Sequence, residues 1–195
     1  MQTLSPDLNK KYTFADYLTW ADNKRRELID GFVKIMTPAP KRAHQQVASN
    51  LHGLLWNYLR KKPCEIYNAP FDVRFLKNGQ ADPKAIDTVV QPDISIICDP
   101  AKLDEYGCLG APDMIIEIVS PGNSNRDVSD KFALYQRHGV REYWIVHPND
   151  QTVNVFILKE GQFILEGMYG YGSTVKVNIW DGFEIDLTDV FDKQG

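Results

Sequence analysis

Met114-Ile-Ile-Glu-Ile-Val119 is the stretch on which the fold turns. Its apolar side chains fill both alternating positions, the pattern of a central strand covered on two faces rather than an edge with one wet side. Glu117 is its only charge, and a carboxylate inside such a strand is costly unless something compensates it. Downstream, Ser120-Pro-Gly-Asn-Ser-Asn125 carries cap-forming residues, and Val128, Phe132, Leu134 and Tyr135 mark a helix ending near His138-Gly139. Glu142-Tyr-Trp-Ile-Val-His147 then reads as another strand.

Upstream, Thr88-Val-Val-Gln-Pro-Asp-Ile-Ser-Ile-Ile97 is apolar except where Pro92-Asp93 interrupts it, so Asp93 opens a second buried strand. Val47, Leu51, Leu54, Leu55, Tyr58 and Leu59 recur at helical spacing and predict an amphipathic helix from about Arg42 to Lys61, stopped by Pro63. Glu27-Leu-Ile-Asp-Gly-Phe-Val-Lys-Ile-Met36 sets Asp30-Gly31 between apolar runs, a hairpin signal that places Glu27 on the first strand. Thr13 with Asp16 predicts a capped helix to about Ala21. Cys64-Glu-Ile-Tyr67 and Phe71-Asp-Val-Arg-Phe75 read as strand segments, and the stretch around Tyr106-Gly107 as a loop. Val153 to Leu158, Phe163 to Leu165 and Val175 to Ile179 predict a late antiparallel meander. The sum is one α/β domain over residues 1–195: a central mixed sheet flanked by two main helices, with the meander added at the C-terminal end.

Composition narrows the class. At 195 residues, 43% hydrophobic and 25% charged, the chain suits one folded globular domain. Its longest apolar runs fall far short of the ~20 residues needed to cross a bilayer, and Met1 to Lys11 lack the pattern of a secretory signal. Cys64, Cys98 and Cys108 form an odd set without C-x-x-C spacing, which argues against a zinc ribbon or disulfide framework and for structural cysteines. Cytoplasmic residence and no membrane contact are therefore expected. A net charge of −4 is unfavourable for broad phosphate binding, so any nucleic-acid contact needs a local basic rim, for which Lys41, Arg42, Lys61, Lys62, Arg126 and Arg137 are candidates. The same six residues also read as an ordinary solvated surface.

Asp93 and Glu117 are the two acids that break apolar strands. If the strands are neighbours the carboxylates converge, and hard oxygen donors with room for water suit Mg²⁺ or Mn²⁺. The simpler alternative is that each acid pairs with a nearby base. Lys131, on the helix after the Glu117 strand, could reach back to offset charge on a phosphate; Asp127, four residues before it, offers a plain helix-surface ion pair instead.

Six ordered blocks resemble the Uma2-like proteins of the PD-(D/E)XK nuclease superfamily. They are Glu27-Leu-Ile-Asp-Gly31, His44 at a helix start, Gln91-Pro-Asp93, Pro112-Asp-Met-Ile-Ile-Glu117-Ile-Val-Ser-Pro121, Asp127-Val-Ser-Asp-Lys131-Phe-Ala-Leu-Tyr135, and Gly139-Val-Arg-Glu-Tyr-Trp144. The resemblance implies a restriction-endonuclease-like fold and phosphodiester hydrolysis, with Asp93, Glu117 and Lys131 as catalytic residues and Mg²⁺ or Mn²⁺ on Asp93 and Glu117. It adds Glu27 as a further catalytic acid, a ligand or water-orienting carboxylate, and His44 as a substrate or metal-shell contact; the simpler alternatives are a solvated hairpin glutamate and a structural histidine at a helix start. Val119 stands where the generic motif has its lysine, and Lys131 supplies that charge from the next helix. His147 stands where relatives often have Asp and is read as outside the chemistry. The expected function is a metal-dependent DNA endonuclease, dimeric if it cuts both strands. The alternative is an inactive nucleic-acid-binding, regulatory or protein-interaction module of the same fold.

Overall fold

A computed structural model describes residues 6–22, 24–36, 41–120 and 125–192, the side chains of Asn125 and Arg126 excepted. Residues 37–40 and 121–124, the latter most of the stretch expected to cap the third helix, lie outside the described residues, as does the Arg126 side chain.

Thr13 caps helix α1 (Phe14–Tyr17) with a complete capping box to Asp16, but the helix stops four residues short of the expected Ala21. The hairpin β1 (Arg26–Ile29) and β2 (Phe32–Ile35) follows. Asp30 at φ 52° and Gly31 at φ 87° make its turn, the paired positive values that Asp-Gly tolerates. Helix α2 (Arg42–Leu59) buries Val47, Leu51, Leu55 and Leu59 along one stripe. Four short strands come next: β3 (Glu65–Asn68), β4 (Val73–Arg74), β5 (Val89–Val90) and β6 (Ile94–Ile97).

The supposed loop at Tyr106-Gly107 is a tight hairpin of β7 (Leu103–Asp104) and β8 (Gly107–Leu109). Gly107 makes it possible: at φ 116° a side chain there would meet the Asp72 carbonyl oxygen at 2.3 Å. Then come β9 (Met114–Ile118), α3 (Asn125–His138) and β10 (Glu142–His147), with α3 the crossover that parallel strands require. The chain ends in β11 (Thr152–Lys159), β12 (Gln162–Gly170), β13 (Thr174–Lys176), β14 (Glu184–Asp186) and α4 (Leu187–Phe191).

The strands form two six-stranded sheets and one small pair. The central sheet runs β12-β11-β10-β9-β6-β3, mixed because β9 and β10 are parallel and their neighbours antiparallel. A second sheet, β2-β1-β5-β4-β8-β7, was not foreseen as a unit. The late antiparallel meander is present in β11 and β12, which extend the central sheet from β10, but its third expected strand leaves it: among the described residues β13 pairs with β14 alone. Val175, Val177, Ile185 and Leu187 explain the split, since they bury into the apolar layer beneath α2.

That layer holds Met114, Ile116, Ile118, Trp144 and Val146 from one face of the central sheet. The opposite face presents Ile115, Tyr143 and Ile145 to Leu134 and Tyr135 of α3 and to Val73, Phe75 and Val90 of the second sheet. β9 is thus covered on both sides, as its sequence requires. Each of its fully buried isoleucines contributes roughly 2 kcal/mol of burial.

One expectation about the cysteines is overturned. Cys64 and Cys98 are joined in a disulfide, and only Cys108 is free, buried in the core. The β3–β6 register sets Glu65 opposite Ile97, so the next step brings Cys64 opposite Cys98. Such a pairing comes from a non-local ladder that spacing alone does not reveal.

Candidate functional site

The ladder between β6 and β9 decides whether the two strand acids meet. Ile94 faces Ile116 and Ser95 faces Ile115. One step further Asp93 comes opposite Glu117, and opposed residues of an antiparallel pair point to the same face. That face is the α3 side, because Glu117 alternates with Ile115 and pairs across to Ile145. Asp93 is pinned there: its Oδ2 accepts a hydrogen bond from the Ile118 N–H at 2.8 Å.

Helix α3 starts at the end of β9 and runs back over this face, which delivers Lys131 to Glu117. Lys131 Nζ donates to Glu117 Oε1 at 2.9 Å and lies 3.1 Å from Glu27 Oε1. The helix-surface alternative is therefore excluded; Asp127 lies instead 3.8 Å from Lys34 Nζ, which also binds Asp130. Glu27 comes from β1 of the second sheet, is 5% exposed, and also accepts from the Gln91 N–H at 2.9 Å. It is no solvated hairpin residue.

His44 sits in the first turn of α2, 7% exposed, with Nε2 3.2 Å from Asp93 Oδ2. Burial disfavours its charge, but the bond to Asp93 and the nearby Glu117 more than offset this and raise its pKa. Burial also pushes the Glu117 carboxyl up to about 7; the Lys131 ammonium pulls it down, and Asp93 and Glu27 push it further up. Lys131 itself, despite burial, is held firmly as a cation by the two glutamates. All five side chains singled out in the sequence thus share one electrostatic neighbourhood.

Two participants were missed. The Tyr135 hydroxyl donates to Glu117 Oε1 at 2.5 Å; its position four residues after Lys131 on one helix was a usable signal. Gln91 ties the strand opening to Glu27: its side-chain oxygen accepts from Arg25 Nε and Nη2, both at 3.0 Å, and its amide donates to Asp72 at 2.8 Å. The proposed basic rim is corrected in part. Lys41 and Arg42 lie at the His44 end of α2, but Lys61 and Lys62 follow its other end, about 25 Å away for an 18-residue helix. Arg137 binds Asp30. His147 closes β10.

The donor chemistry suits a hard cation in a limited way. Among the described residues no three His, Cys, Asp or Glu side chains are gathered to hold a metal by themselves. Asp93 and Glu117 offer two carboxylates, and Glu117 Oε2 and Asp93 Oδ1 accept no hydrogen bond among the described residues. Mg²⁺ commonly takes one or two carboxylates and completes its shell with water and phosphate, so the pair fits such an ion.

Known proteins bear on the family and the fold. A solved structure from Anabaena variabilis, described as a "putative nuclease belonging to DUF820", superposes with a TM-score of 0.70, covering 92% of this chain and 97% of that one at 21% identity. The uncharacterized protein slr1290 of Synechocystis is 24% identical over 144 residues, 72% of this chain and 71% of the relative. Among the described residues no helix is long and apolar enough to cross a membrane. The Uma2 family, described as "putative restriction endonuclease", matches residues 14–188, and the chain therefore belongs to that family.

Proposed function

We propose that this chain is a divalent-metal-dependent endonuclease that hydrolyses phosphodiester bonds of DNA. The observation that carries the reading is Lys131 Nζ bridging Glu117 and Glu27 at 2.9 and 3.1 Å, beside an Asp93 in register with Glu117. Acids from two sheets and a lysine from the connecting helix meet in one cluster, and family membership supplies the reaction class. Asp93 and Glu117 would hold Mg²⁺ or Mn²⁺. A cation bound there supplies polarisation of a phosphodiester oxygen and a lowered pKa for an attacking water. Lys131, kept charged by its two carboxylates, faces the negative charge that grows on the phosphate. Glu27 keeps the ammonium aimed, and His44 fixes the rotamer of Asp93.

Lys41 and Arg42, at the His44 end of α2, are the cations available for the flanking strand. The reading takes residues 1–195 as one domain, two copies for a double-strand cut, and a cytoplasmic home where DNA is met. The Cys64–Cys98 bridge is unusual for a reducing compartment, and cell fractionation decides that last point.

The test is nicking of supercoiled plasmid with Mn²⁺, compared with single-stranded RNA. Wild type should cut and EDTA should stop it, while Asp93→Ala, Glu117→Ala and Lys131→Met should be inactive though folded. A second reading, a module of this fold that binds nucleic acid or protein without turnover, draws on the net charge of −4 and on acids already neutralised by Lys131. Absence of both cleavage and calorimetric Mn²⁺ binding in the wild type would establish it.

A further inference from the structure

We propose that Tyr135 is a positioning residue that, together with Lys131, turns Glu117 so that one of its oxygens is reserved for a divalent cation; the inference rests on the hydrolytic reading above. Lys131 and Tyr135 are one helical turn apart on α3, and both donate to the same atom, Glu117 Oε1, at 2.9 and 2.5 Å. Two donors on one oxygen fix the carboxyl plane and leave Oε2 as the oxygen free for another ligand. Asp93 is held by the same logic: the Ile118 N–H and His44 Nε2 both reach its Oδ2, at 2.8 and 3.2 Å, and leave Oδ1 open. Each acid of the opposed pair therefore has one oxygen occupied by protein donors and one withheld from them.

Packing makes the Tyr135 hydroxyl well suited to this task. The residue is fully buried, its ring edge-on to Tyr143 at 5.1 Å and tilted against Phe75 at 6.2 Å between centroids. The ring cannot swing away without opening that cluster, so the hydroxyl is aimed by the core rather than by solvent. A carboxylate set in advance loses less conformational freedom when it takes a ligand than one that must be ordered on binding.

The experiment measures Mn²⁺ binding to the full chain by titration calorimetry for wild type, Tyr135→Phe and Phe75→Leu, each with a thermal melt. Tyr135→Phe removes one oxygen and keeps the ring, so it should melt near the wild type yet bind Mn²⁺ about tenfold more weakly, the scale of one hydrogen bond to a charged group. Phe75→Leu loosens the same cluster without touching Glu117; it should melt earlier and bind Mn²⁺ as the wild type does. Equal affinity in wild type and Tyr135→Phe, or equal weakening in both variants, overturns the positioning role and leaves the hydrolytic reading standing. A wild type that binds no Mn²⁺ overturns the hydrolytic reading itself and the positioning role with it.

Discussion

Replacing Lys131 by methionine keeps an unbranched side chain and removes the one charge that faces both Glu117 and Glu27. The side chains of Lys131, Glu117 and Glu27 are 17%, 14% and 6% exposed, too buried for water to screen the loss as it would at a surface pair. Breaking a buried pair by deleting one partner costs about 3 to 5 kcal/mol. The cost depends on pH in a determined direction. With Lys131 present, burial already lifts the Glu117 carboxyl to about 7, above the ~4.3 of an unfolded chain. The folded state then holds that proton more tightly, so stability falls as pH rises from about 4 through about 7, and the loss is complete above that window. Without the ammonium the carboxyl moves higher still and the loss deepens at alkaline pH. Urea unfolding in EDTA, followed by circular dichroism, should show Lys131→Met less stable than wild type by about 3 to 5 kcal/mol at pH 8.5. At pH 5.5, where Glu117 is protonated, the gap should shrink to about 1 to 2 kcal/mol. A gap below about 1 kcal/mol at pH 8.5, or one unchanged between the two values, refutes the buried pairing.

Arg74, 3% exposed, binds Asp104 and lies over the rings of Phe14 and Tyr106 at 5.0 and 5.8 Å; Arg74→Ala should lower stability by about 3 kcal/mol in urea titration. Glu142 is fully buried and accepts from Trp144 Nε1 at 2.7 Å and the Ile179 N–H at 2.8 Å. Glu142→Leu orphans both donors, which should cost about 2 to 4 kcal/mol and alter tryptophan fluorescence, whereas Glu142→Gln should cost less. Peptide mapping without reductant should find Cys64 linked to Cys98, and reduction should lower stability by about 3 to 4 kcal/mol for a loop with a separation of 34 residues; an unlinked Cys64 contradicts that pairing.

Much of the site could be read from the chain because buried charge is rare. Asp93 and Glu117 stand out as acids in apolar strands, and Lys131 follows from the helix that must cross back over β9, whereas Tyr135, one turn further along that helix, was read only as part of its apolar stripe. Local periodicity also located α2, β9, β10 and the Asp30-Gly31 turn. What escaped was non-local. The second sheet is assembled from strands as short as two residues, Val73–Arg74 and Val89–Val90, whose pairing partners lie far along the chain. For the same reason neither the approach of Glu27 to Lys131 nor the meeting of Cys64 and Cys98 could be deduced from spacing. The polar end of α2 was overextended as a rim because a composition count does not register that the helix separates its own two ends.

The ion pair between Lys131 and Glu27 joins the crossover helix to the second sheet, and this governs when the cluster can exist. Glu27 emerges early in synthesis, Asp93 and Glu117 in the middle, and Lys131 on a crossover whose return strand ends only at His147. A polypeptide still being made, or one clipped before β10, lacks the strand that β9 lies against on that side. The charged cluster is therefore completed late in synthesis, and a product that stops short of β10 cannot assemble it against a β9 paired on both edges.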